Sequence, residues 1–179
     1  MPLLVRHDCA LLLIDVQARL APAIRDSATV VANAGRLAQG AALLGVPVLR
    51  TEQSPAKLGP TLTECAAGAC IEKTSFDACA APDFAQALSA AAPQRRTVVI
   101  AGMEAHICVL QTALSLRGRG LGVAVAADAV GSRRRDDHAA ALARMARDGV
   151  EVVTVEMALF EWLGDAADPQ FRAVSALVK

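Results

Sequence analysis

The chain has 179 residues, of which 54% are hydrophobic and 20% charged, and its formal net charge at pH 7 is zero. That composition can fill one large core and gives no electrostatic footing for a nucleic acid or a membrane surface, so neither partner is expected. The first apolar run, Ala10 to Ile14, is short and stops at Asp15, too little for a secretory leader or a membrane span, and a cytoplasmic protein is the expectation.

No long polar linker interrupts the sequence, so residues 1–179 read as a single domain. Cys9 to Ile14 is a continuous apolar run, the pattern of a strand buried on both faces, and Asp15 stands where it leaves the sheet. A charge at that edge is either a cap or a working carboxylate. Asp26 or Ser27 can cap a helix with the stripe Val30, Ala34, Leu37, Ala41 and Leu44. Gly45 closes it, and Val46 to Leu49 returns as a second strand. Such a βαβ unit implies parallel strands. Arg50 to Glu72, punctuated by Pro55, Gly59, Pro60 and Gly68, reads as a long binding loop or lid running into the polar cluster Glu72 to Asp77. Pro82 opens a helix that reaches Ala91.

Thr97 to Ala101 is the next strand. Gly102 to Gly118 then holds a turn and an apolar-periodic helix with Cys108 in its first turn. Leu121 to Ala127 is a strand ending in Asp128. Ser132 can cap a helix that buries Leu142 and Met145 and stops at Gly149. Val150 to Val155 is the last strand, and Ala158 to Leu163 and Pro169 to Val178 are helical. The alternation predicts a three-layer α/β/α sandwich around a mostly parallel, Rossmann-like sheet of about six strands, with ligands at the strands' carboxyl ends.

The five cysteines are Cys9, Cys65, Cys70, Cys79 and Cys108; no pair has the spacing of a zinc knuckle or redox dithiol, and no disulfide framework is expected. Four read as small hydrophobes. Cys108 differs by position. A thiol in a first helical turn faces unpaired N–H groups and the positive end of the helix dipole, which favour thiolate, and the same N–H groups can hold an oxyanion. Asp15, Lys73 and Cys108 all lie at or near carboxyl ends of strands or in the loop that should cover them. A carboxylate beside a thiol can take its proton, and a lysine beside both keeps the carboxylate ionised. Separately, the three have ordinary readings as a strand-end cap, a loop charge and a buried cysteine.

His106 precedes Cys108 by two residues, a spacing that turns the side chains to different faces, so no Cys–His dyad is expected. His138 shares a stripe with Leu142 and Met145 and reads as a packing residue, while His7 lies near the terminus. No histidine pair and no Asp-x-His has ligand spacing, so no metal and no other cofactor is predicted. Gly118 to Gly122 reads as a helix stop and turn, and Arg133 to Arg135, followed by Asp136 and Asp137, as a solvated face.

Three segments in register, Leu11 to Gln17, Glu72 to Phe76 and Ala101 to Val109, resemble the isochorismatase-like cysteine hydrolase family. The stretches Thr51 to Pro55, Leu58 to Thr61, Ala141 to Met145 and Gly164 to Phe171 are similar to its isochorismatase-domain-containing branch. The resemblance implies a triad with Asp15 as general base, Lys73 as its electrostatic partner and Cys108 as nucleophile. It also implies a cis peptide at Met103–Glu104 and an oxyanion hole from the backbone N–H groups of Glu104 and Cys108. Nicotinamidase members hold a metal through Asp-x-His where this chain reads Thr51-Glu52-Gln53, and true isochorismatases generally lack the cysteine. The implied activity is therefore cleavage of a small amide or related acyl substrate through a thioester. Gln17, Glu52 and Phe76 are the candidate substrate-binding residues, and a homo-oligomer is implied. Non-covalent hydrolysis of a non-amide metabolite, or a catalytically silent binding or scaffold role, are the alternatives.

Overall fold

The computed structural model describes residues 3–179. Six strands form one sheet in the order β3-β2-β1-β4-β5-β6: β1 Cys9–Ile14, β2 Val48–Gln53, β3 Ala69–Lys73, β4 Thr97–Met103, β5 Gly122–Gly131 and β6 Glu151–Val153. Every pairing is parallel. The helices are α1 Ser27–Leu44, α2 Pro55–Leu58, α3 Phe84–Ala91, α4 Leu110–Gly118, α5 Arg135–Arg147, α6 Val155–Leu163 and α7 Phe171–Leu177.

The layers follow from side-chain alternation. Along β1, Cys9, Leu11 and Leu13 enter one core while Leu12 and Ile14 enter the other; along β4, Val99, Ala101 and Met103 oppose Val98 and Ile100. Because both faces need cover, β1 and β4 are buried throughout, as continuous apolar runs predict. Ala34 and Leu37 of α1, Trp162 of α6 and Val174 of α7 close one face. Phe84 of α3, Ala113 and Leu116 of α4 and Met145 of α5 close the other.

Several element boundaries differ from expectation. The second strand starts at Val48 and runs on through polar Arg50 to Gln53, and the expected loop contains β3. β3 is an edge strand that buries only Ile71 and Lys73, too little apolar signal to announce itself. β5 continues past Asp128 to Gly131 by way of a register shift against β4. The last strand is shorter than expected because Thr154 accepts a hydrogen bond from Met157 N and starts α6. α5 begins at Arg135, and Ser132 does not cap it.

Gly102 is where β4 passes β1 at the sheet's carboxyl edge. Its φ is +133°, and a Cβ there would lie 2.0 Å from the Ile14 carbonyl oxygen. Both strain and clash oppose any side chain. Gly102→Ala is expected to cost more than about 4 kcal/mol, or to abolish soluble expression. Gly118→Ala, where a Cβ meets nothing within 4 Å, is the control and should hold or slightly raise the urea midpoint.

Candidate active site

The sheet order reverses direction at β1: β2 and β3 lie to one side, β4 to β6 to the other. The crevice at such a switch point, outside the carboxyl ends of the strands, is the favoured ligand position in an open α/β sheet. Asp15 leaves β1 there, at a left-handed φ of 51°. Its strand neighbours are in register, with Ile14 beside Thr51 on β2 and Gly102 on β4, and Gln53 of β2 beside Lys73 of β3.

This register brings a carboxylate and an ammonium together out of water. Lys73 Nζ donates to Asp15 Oδ2 at 2.6 Å, and both side chains are 0% exposed. The other carboxylate oxygen, Oδ1, accepts from Thr51 Oγ at 2.7 Å. Lys73 Nζ also donates to Gln53 Oε1 at 2.8 Å and to the Ser75 carbonyl at 3.2 Å. An ammonium has three donors, and all three are used. Lys73 is therefore an electrostatic partner of Asp15 with no proton left over for a ligand.

Cys108 comes from across the switch point. After β4 the chain passes a cis peptide at Met103–Glu104, enters a π-type turn at Ala105–Val109 and continues as α4. The Glu104 carbonyl accepts from Ile107 N and Val109 N, which closes the turn. Two side-chain ties hold it from behind. Glu104 Oε2 accepts from Arg133 N and Nε at 3.1 and 3.0 Å, and His106 Nδ1 lies 3.0 Å from Ser132 Oγ. Asp15 and Lys73 both lie near enough to the Cys108 thiol to act on it electrostatically.

Burial and the Asp15 carboxylate push the thiol up to about 12, and Lys73 opposes them only in part. This corrects the expected resting thiolate. At neutral pH the sulfur holds its proton because it is 6% exposed beside a carboxylate, and a helix start does not outweigh that.

A cavity of about 290 Å³ opens beside Lys73, lined by Ser54, Glu72, Thr74, Ser75 and Pro82 among others. A second of similar volume, between α1, α5 and the end of β5, contains none of the three site residues. Among the described residues, no group of three or more His, Cys, Asp or Glu side chains could hold a metal ion. No described helix is long and apolar enough to cross a membrane.

Residues 9–157 match the isochorismatase domain. The chain belongs to the isochorismatase family. It is 39% identical over 168 residues to isochorismatase domain-containing protein 1 of Danio rerio, an alignment covering 92% of this chain and 59% of that protein. It thus spans less than two thirds of that relative's length. Among solved structures, it superposes on the MAR1 ribonuclease of Caenorhabditis elegans with a TM-score of 0.90 at 31% identity, over 97% of this chain and 91% of that one. The YcaC gene product of Escherichia coli, an octameric hydrolase of unknown specificity, gives a TM-score of 0.92 at 25% identity, over 99% and 89%. Isochorismatase-family membership makes this a hydrolase fold.

The remaining candidate residues have defined places in this family member. Gln17 is fully buried, and its carboxamide is committed: Nε2 donates to the Gln53 and Gly59 carbonyls, and Oε1 accepts from Gln53 N. Glu52 Oε1 accepts from Thr61 N and Oγ at 2.7 Å. Both tether the 54–62 segment to the sheet. Phe76 is 54% exposed in the segment that follows Lys73. Sequence reasoning missed Thr51 and Gln53 as site residues, although their two-residue spacing on a strand was the available signal that they share a face. His106 does face away from the thiol, toward Ser132 and Asp137.

The thiol's environment sets the sign of its reactivity. Alkylation of Cys108 by iodoacetamide should be slow at pH 7 and rise about tenfold per pH unit through pH 10, as the thiolate fraction grows. Lys73→Met removes the lowering influence and should slow it further, and Asp15→Asn removes a raising one and should speed it. Peptide mass spectrometry against pH reads each case.

Proposed function

We propose that this chain is a cysteine hydrolase that cleaves a small amide or related acyl compound through a Cys108 thioester. The observation that carries the reading is the convergence of a buried Asp15–Lys73 pair on the thiol at the switch point of the sheet. Asp15 takes the thiol proton as sulfur bonds to the substrate carbonyl carbon. The backbone N–H groups of Glu104 and Cys108 receive the oxyanion. The C–N bond then breaks as Asp15 returns the proton to the departing nitrogen, leaving a thioester. Water adds to it, Asp15 accepts the water's proton and passes it to sulfur, and the acid leaves. The cavity beside Lys73 is the approach for a small substrate, and Phe76, exposed one residue past the lining Ser75, is the candidate apolar contact. Gln17 and Glu52 serve the site by holding the loop beside it. Homo-oligomeric assembly belongs to the same proposal, supported by the octameric YcaC neighbour.

The protonated resting thiol favours one competing reading, in which Asp15 activates water directly and sulfur forms no bond. Intact-mass measurement after incubation with a panel of small amides separates the two. The expected result is an acyl adduct on wild type that Cys108→Ala lacks, with turnover lost by at least about a thousandfold in Cys108→Ala and Asp15→Asn. Equal product release by wild type and Cys108→Ala, without an adduct, would establish the non-covalent route.

A further inference from the structure

Lys73 hangs from an edge strand on a flexible four-carbon stem, yet its ammonium must be fixed to act on Asp15 and the thiol. Asp15 supplies one acceptor for it, and Gln53 is the second side chain that does so. Gln53 lies directly beside Lys73 in the β2–β3 register, so the two side chains rise on the same face. The orientation of the Gln53 carboxamide is determined as well, because its Nε2 donates to the Thr74 carbonyl at 2.7 Å, which turns Oε1 toward the ammonium. Its backbone is gripped on both sides by Gln17, through Gln53 N to Gln17 Oε1 at 2.8 Å and Gln17 Nε2 to the Gln53 carbonyl at 3.2 Å. Ser54 N donates to the Lys73 carbonyl at 2.8 Å and locks the two strand ends together.

We propose that Gln53 is a positioning residue of the active site, which aims the Lys73 ammonium at Asp15 and Cys108 and is itself held in place by Gln17. The inference deepens the cysteine-hydrolase reading and rests on it for its link to catalysis. A neutral acceptor suits the task. A carboxylate at this position would aim the ammonium equally well, but it would share the positive charge that Asp15 and the thiol require. A hydrocarbon would leave one ammonium proton without a protein acceptor.

Gln53→Met and Gln53→Glu separate aim from charge. A hydrogen-bonded, buried ammonium exchanges its protons slowly, so Lys73 should give a resolved ¹H–¹⁵N ammonium signal in the full-length protein, assigned by its loss in Lys73→Met. Gln53→Met should broaden that signal and slow Cys108 alkylation at pH 9 about tenfold, the change produced by one unit of thiol pKa. Gln53→Glu should keep the signal and still slow alkylation. Thermal midpoints within a few degrees of wild type would exclude a general loss of structure. A Gln53→Met protein with the wild-type signal and alkylation rate would overturn the proposal. A wild-type thiol that stays inert to pH 10, with the Lys73 signal still dependent on Gln53, would uphold the positioning role and overturn the thiol chemistry.

Discussion

The buried contact between Asp15 and Lys73 is the constraint on which the site depends. Neither charge touches water, and an isolated buried ion is costly enough that the pair can exist only if each supplies the other's counter-charge and neighbouring dipoles satisfy the remaining polar atoms. The surroundings meet both conditions. Thr51 takes the second Asp15 oxygen, and Gln53 and the Ser75 carbonyl take the remaining Lys73 protons. Removing one partner of such a pair typically costs about 3–5 kcal/mol, because the survivor is left uncompensated. The sheet can bear a site of this kind because its stability comes from elsewhere, from the two apolar layers that β1 and β4 feed with alternate residues.

That dependence explains why the site sits at strand ends. Main-chain pairing fixes strand ends to within a residue, so a carboxylate one step beyond β1 and an ammonium at the end of β3 meet without any loop having to place them. Cys108 lies on a helical turn instead, and the turn is held by ties to the segment after β5: Glu104 to Arg133 and His106 to Ser132. Ser132, which looked like a helix cap, and Arg133, from a run that looked solvated, thus steady the turn that carries Cys108.

The layered architecture was legible because it is written in long apolar runs: Cys9 to Ile14 and Thr97 to Ala101 can hardly be anything but doubly buried strands. The family motifs were equally legible, since they lie in consecutive segments. What escaped was written in polar residues. β3 buries two side chains, one of them a lysine, and the functional end of β2 reads Arg-Thr-Glu-Gln, so neither carries the apolar signature by which strands are recognised. Gln17, Glu52 and Ser132 looked available for ligands or caps. Gln17 pairs with Gln53 and Gly59, and Ser132 with His106, across separations that leave no local trace, while Glu52 pairs with Thr61 inside a loop whose path no local pattern fixes. The protonation of Cys108 was misjudged for the same reason. The helix start is a local feature, whereas burial and the approach of Asp15 are tertiary.

A thiol held near 12 and a thiol poised to attack are compatible once the destination of the proton is considered. Loss of that proton to solvent would leave a thiolate and a carboxylate beside one ammonium, a net negative charge in a site without water to solvate it. Transfer to Asp15 instead leaves a thiolate, a neutral carboxyl and an ammonium, the same total charge as before. The low local dielectric therefore opposes the first process and leaves the second nearly unpenalised, while Lys73 exchanges one anion for another at close range. In the proposed mechanism the acid–base pair works only as a unit. A substrate carbonyl that accepts the sulfur moves the negative charge onto the oxyanion, away from both carboxyl and ammonium, so backbone N–H groups at Glu104 and Cys108 become the necessary third element of the arrangement.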